Sequence, residues 1–154
     1  MYKLIRITLN LFVVVIGAAA YAQPATPLPS VGDSQVVAQL KDAKWTAPTY
    51  TGVPPGIMVW YVAGDPKGGP AINYGKFPAG YAFPRHWHSY PEFAVLVSGT
   101  ARYVIAGQSF DLSPGSLVII PAKVPHELTC SQAGPCIFLF QWRREGPPDF
   151  HFEK

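Results

Sequence analysis

Past residue 48 this chain is cut at short intervals by proline and glycine, with proline standing in the gaps where a helix would have to begin. The 154 residues hold 17 prolines and 14 glycines, a density that disfavours long helices and leaves short pieces between breaks. Those pieces are apolar or alternate apolar with polar residues: 57–62, 71–76, 93–98, 101–106, 108–112, 116–120, 127–130 and 137–142. A period of two at regular spacing predicts strands, and many short strands predict an all-β sandwich or barrel. One exception is expected before this region, where Ser34 caps a short helix running to about Lys41.

The first residues read as a targeting signal. Lys3 and Arg6 form a basic start, 11–20 is apolar, and Ala20-Tyr21-Ala22 offers the small residues a signal peptidase reads, which predicts cleavage before Gln23. The apolar stretch falls short of the about 20 residues a membrane span needs, so no stable anchor is expected after cleavage. Residues 1–22 are therefore read as a removed signal peptide, 23–48 as a Pro-rich lead-in with a short N-terminal element, and 49–154 as a single domain with a C-terminal tail. The mature protein is expected to be exported, to a periplasm. Losing Lys3 and Arg6 lowers the formal charge from +3 to +1, and no cluster of basic residues beyond Arg143-Arg144 suggests a nucleic-acid partner.

Cys130 and Cys136 flank Ser131-Gln132-Ala133-Gly134-Pro135, a turn-like insert. In an oxidising compartment they would staple the two ends of a hairpin, worth about 2 kcal/mol by loop entropy. Two free thiols are the alternative, and a zinc site from this pair lacks further ligands nearby.

Three of the four histidines belong to one pattern: Gly80, His86, His88, Glu92 and Gly99, then Gly115, Pro121 and His126. On a strand, His86 and His88 project from the same face with Cα atoms about 6.5–7 Å apart, and Trp87 points the opposite way into a packing layer. Ser89-Tyr90-Pro91 reads as a turn that brings Glu92 back beside them, and His126 supplies a fourth ligand from a later strand. Three neutral imidazoles and one carboxylate are a donor set for a single divalent metal ion.

These residues resemble the cupin superfamily. Gly80, His86, His88, Glu92 and Gly99 match its first motif in full, and Gly115, Pro121 and His126 match its second. Lys123 stands where that second motif has glycine, a position that serves a positive φ, and Cys130 stands where asparagine is frequent. The resemblance spans roughly residues 50–142. It implies a cupin-like double-stranded β-helix, a jelly-roll barrel with a short N-terminal extension and the metal inside. It also implies iron, manganese, nickel, zinc or copper as the ion, and iron(II) or manganese(II) come first here.

In octahedral coordination this donor set leaves two adjacent positions, which suits a small oxygenated or anionic compound that chelates. The expected function is a metal-dependent, dioxygenase-like oxidoreductase. A decarboxylase, lyase or isomerase, and a non-catalytic sensor or carrier of metal or small ligand, are its alternatives. Alternation turns Ala94, Leu96 and Ser98 inward with Glu92, and Ala101, Tyr103 and Ile105 inward opposite an exposed Arg102. Tyr103 is the candidate catalytic residue, as a hydrogen-bond donor to a bound anion. Tyr74, Phe83, Phe138, Phe140 and Trp142 are cavity lining or core, Arg85 and Glu127 face outward, and His151 is solvated. The aromatic tail with Phe150 and Phe152 packs back on the domain or against a second subunit of a homodimer.

Overall fold

The eight runs become strands, and Ala82–Trp87 and His151–Phe152 add two more, in a computed structural model that describes residues 28, 30–32, 35–48, 52–143 and 149–153. In chain order these are β1 (Met58–Gly64), β2 (Ala71–Phe77), β3 (Ala82–Trp87), β4 (Glu92–Ser98) and β5 (Ala101–Ile105). β6 (Gln108–Leu112), β7 (Leu117–Ile120), β8 (His126–Cys130), β9 (Cys136–Trp142) and β10 (His151–Phe152) complete the set. They form two five-stranded sheets, β1-β2-β9-β4-β7 and β10-β3-β8-β5-β6, with every pairing antiparallel. This is the jelly-roll architecture expected from the sequence.

Strict alternation explains the core. On β2 Ala71, Asn73, Gly75 and Phe77 are buried, and on β9 Cys136, Phe138, Phe140 and Trp142 are, with partly exposed residues between. These meet Phe83, Tyr103 and Leu128 from the other sheet in one hydrophobic cluster. Phe138 and Leu96 have no exposed surface, and each contributes about 2–3 kcal/mol of burial. Phe138, Phe140 and Trp142 stack along β9 at centroid spacings of 5.8 and 5.5 Å.

Three register shifts interrupt the ladders, one of them on β1 between Tyr61 and Ala63. On β4 the register with β9 shifts between Leu96 and Ser98, so Ser98 is exposed rather than inward. On β3 a shift between Phe83 and His86 lets both face the core although they are three apart. Tyr74 also departs from its expected place: it lies on the outer face of β2, stacked on Trp60 at 5.4 Å.

The staple differs from the one expected. Cys130 ends β8 and Cys136 begins β9, and these strands belong to opposite sheets. The bond, across a Cα–Cα distance of 5.8 Å, therefore ties sheet to sheet rather than closing a hairpin. The N-terminal helix is corrected too. Among the described residues only a 3₁₀ turn over Leu40–Asp42 forms there, without a buried residue or side-chain cap, because Val36 and Val37 stay exposed and find no core to anchor a longer helix. Thr46 then bridges to Val59 and joins the lead-in to β1. The signal peptide expected over 1–22, and Ser34 itself, lie outside the described residues. Among the described residues no helix is long and apolar enough to cross a membrane.

The tail packs back on its own barrel. β10 pairs with the free edge of β3, and Phe150 and Phe152 lie against the core. Trp87 faces outward as expected, but its partner is the tail: its ring stacks on His151 at 3.8 Å. His151 is exposed yet engaged there, and also contacts the Asp149 carboxylate at 3.1 Å.

Candidate metal centre

Register brings the four side chains together. His86 on β3 lies directly opposite His126 on β8. Glu92 enters from the other sheet as the first residue of β4, and His88 follows the end of β3 by one residue. All four are 2–4% exposed, and one ligand atom from each lies within 4.8 Å of the others.

Hydrogen bonds settle how the rings are presented. His86 Nδ1 meets the Pro84 carbonyl at 2.7 Å, His126 Nδ1 the Val124 carbonyl at 2.9 Å, and His88 Nδ1 the Asp149 carbonyl at 2.5 Å. A carbonyl can only accept, so in each case Nδ1 carries the proton and Nε2 of a neutral ring is left with its lone pair. Among the described residues His88 Nε2 and His126 Nε2 are buried without a hydrogen-bond partner, 3.3 and 3.4 Å from Glu92 Oε2. Acceptors crowded this closely in a buried site repel one another unless a cation stands among them. The residues present therefore fit a divalent ion, and they could hold one.

Electrostatics agree with that reading. Burial, reinforced by His126 and His88, pushes the His86 imidazole down to about 3, so it stays neutral as a ligand must. Burial raises the Glu92 carboxyl, but contact with His126 and His88 outweighs it and holds the group below the ordinary carboxylate range. Burial lowers His126 while Glu92 beside it raises it, with a net upward shift. The cluster thus draws a proton where a metal would supply the positive charge.

The Tyr103 hydroxyl donates to Glu92 Oε1 at 2.8 Å, within the buried core. Burial, then the neighbouring carboxylate, pushes this phenol well above its usual value, so it stays a donor. Tyr103 therefore stands behind the Glu92 carboxylate of the candidate metal cluster and orients it. The hydroxyl proton expected to serve a bound anion is thus engaged with Glu92 in this structure.

Beside Glu92 and His86 lies a cavity of about 50 Å³. Ile57, Val59, Phe77, Phe83, Leu128, Phe140, Trp142 and Phe150 line it, with Asn73 and Tyr103 adding polar atoms. Phe83, Phe140 and Trp142 are thus cavity lining, whereas Phe138 is core. Asn73 was not singled out by sequence. Its Oδ1 accepts from Trp142 Nε1 at 2.8 Å, and an amide alone among inward apolar residues of β2 was the available signal. Asp149 gave no signal, because it acts through a backbone carbonyl.

Arg85 points outward and pairs with Glu153, and Arg102 is exposed and paired with Asp111 at 2.7 Å. Glu127 is on the alternate, half-buried side of β8. Lys123 adopts φ 63°, the left-handed conformation for which glycine is the usual residue, and its N–H donates to the His88 carbonyl at 2.8 Å. The approach turn keeps its shape despite the substitution. Gly99 cannot be replaced so: at φ 84° an added Cβ would stand 2.4 Å from the Pro135 carbonyl oxygen.

The profile of the cupin domain family Cupin_2 matches residues 73–142, the span that contains all four side chains. A cupin-2 domain of Rhodospirillum rubrum, Rru_A2000, superposes with a TM-score of 0.62 at 13% identity, over 84% of this chain and 83% of that one. Residues 73–142 of this chain form a cupin domain. Among other solved structures, KdgF from Halomonas sp. is similar at 25% identity and TM-score 0.55, over 72% of this cupin and 94% of that chain. A structure reported with the DMSP lyases RdDddP and RnDddQII is also 25% identical, with TM-score 0.59, over 73% of this chain and 63% of that one. No curated protein sequence matches this cupin.

Proposed function

We propose that this cupin is a metal-dependent oxidoreductase of the dioxygenase type, acting on a small, mostly apolar organic compound with a chelating pair of oxygens. One observation carries the reading: His86 and Glu92, two members of a buried three-histidine, one-glutamate cluster, reach the wall of a largely apolar cavity. Among the described residues no lysine or arginine lines that cavity, which favours a substrate whose negative charge is limited to its chelating oxygens. The remaining polar side chains on the wall are engaged with each other, Asn73 with Trp142 and Tyr103 with Glu92. This favours chemistry that needs no separate general base. When bound, iron(II) or manganese(II) supplies Lewis acidity and redox chemistry with dioxygen. The chain's own residues hold the ion, keep Glu92 ionised and aimed through Tyr103, and exclude water with the aromatic lining.

The test is oxygen uptake by metal-loaded protein with catechols, β-diketones and keto acids, together with ¹⁸O incorporation into product. Turnover of such a compound without oxygen consumption would refute the oxidoreductase in favour of a lyase, decarboxylase or isomerase. That second reading is supported by the likeness to the structure reported with the DMSP lyases. Tight metal and ligand binding without any turnover would make the protein a carrier or sensor. Export to a periplasm belongs to the same proposal. It rests on the basic and apolar start before Ala20-Tyr21-Ala22, and the Cys130–Cys136 bond suits an oxidising compartment.

A further inference from the structure

We propose that the C-terminal segment 149–153 is a working part of the metal centre, with Asp149 the positioning residue for His88; this rests on the metal-centre reading above. His86 and His126 are each oriented by the carbonyl two residues before them, Pro84 and Val124, inside their own strand neighbourhood. His88 has a different arrangement. It lies past the end of β3, and the carbonyl that fixes its ring comes from Asp149, 61 residues away.

The segment is built to hold that carbonyl in place. The Asp149 carboxylate accepts from the Ser89 N–H at 3.2 and 3.3 Å, next to His88 in sequence, and the Asp149 N–H donates to the Tyr90 hydroxyl at 3.1 Å. Beyond it, His151 and Phe152 pair with Trp87 and His86. The Glu153 N–H donates to the Arg85 carbonyl at 3.1 Å, and its carboxylate takes the Arg85 guanidinium. Between these anchors Phe150 packs against the ligands themselves, its ring 4.9 Å from that of His88 and 5.6 Å from that of His86. Partners that fix a ligating imidazole's tautomer and direction typically change metal affinity by about 10- to 100-fold when removed.

Three proteins test this: the chain ended at Pro148, Glu153→Arg, and Glu153→Arg with Arg85→Glu. Affinity for cobalt(II) is read by chelator competition, its site by the visible spectrum, and the His88 tautomer by ¹⁵N NMR of metal-free protein. Ending the chain at 148 is expected to weaken cobalt binding about 10- to 100-fold, to alter the spectrum, and to lose the Nδ1–H preference at His88 while His86 and His126 keep theirs. Glu153→Arg should weaken binding less, and the charge-swapped pair should recover it. An unchanged His88 tautomer and cobalt affinity in a folded, shortened chain would overturn the proposal. If the shortened chain does not fold, an unaltered affinity in Glu153→Arg overturns it instead. Intact protein that binds no cobalt at all would refute the metal centre, and the tautomer measurement would still decide the role of Asp149.

Discussion

The β3–β8 pair and the C-terminal strand both deliver partners to the same cluster, by opposite means. His86 and His126 face each other across a ladder, each steered by a carbonyl two residues upstream. His88 is steered from a segment 61 residues away in sequence, held to the barrel edge by two residue pairs, hydrogen bonds to Ser89, Tyr90 and Arg85, and an exposed ion pair. The first arrangement is as rigid as the sheets. The second depends on a two-residue edge strand and the contacts beside it.

The strongest way to break the contrast is at the ladder itself. His86→Ala or His126→Ala is expected to take metal content from about one ion per chain to almost none, measured by elemental analysis. Unchanged occupancy in either variant would remove the donor set. Packing offers the next comparison. Phe138→Ala inside the barrel should cost about 3–5 kcal/mol in denaturant unfolding, and Phe152→Ala in the tail should cost less, because its ring is only half-buried.

Acid sharpens the same distinction. With chelator present, His86 is neutral in the folded protein down to about pH 3 but charges near 6.5 when unfolded. Stability should therefore fall as pH drops from 6.5 towards 3, since the unfolded state binds the extra proton. Glu92, whose folded value is depressed, adds to the loss below its unfolded value of 4.5. His86→Phe should flatten the upper part of this limb in a pH series of unfolding curves.

Reduction of the Cys130–Cys136 bond should cost about 2 kcal/mol, seen as an earlier denaturation midpoint in dithiothreitol. The smallest effect is expected at the positioning phenol. Tyr103→Phe removes the hydrogen bond to Glu92 but keeps the ring, and should weaken metal binding about 10-fold with the fold intact. An unchanged affinity would show that Glu92 is aimed without it.

Most strands and the four clustered side chains were legible because both follow local rules: a period of two, and a spacing of histidines and a glutamate on that period. What escaped depends on register. The bulge between Phe83 and His86 puts both on the core side, and the one between Leu96 and Ser98 turns Ser98 out. Neither follows from alternation, since an inserted residue reverses the faces beyond it. The outward stack of Tyr74 on Trp60 and the staple from sheet to sheet likewise depend on which strands become neighbours.

By itself the sequence determined an all-β chain with three imidazoles and a carboxylate on β periodicity, because side-chain direction along a strand is a local property. Only the tertiary structure decided that Tyr103 serves Glu92, that Asn73 serves Trp142, and that the Asp149 carbonyl orients His88. Each joins residues on elements distant in the chain, the last through a backbone atom that every residue possesses. Such a contact leaves no mark in residue type, so only the folded arrangement can reveal it.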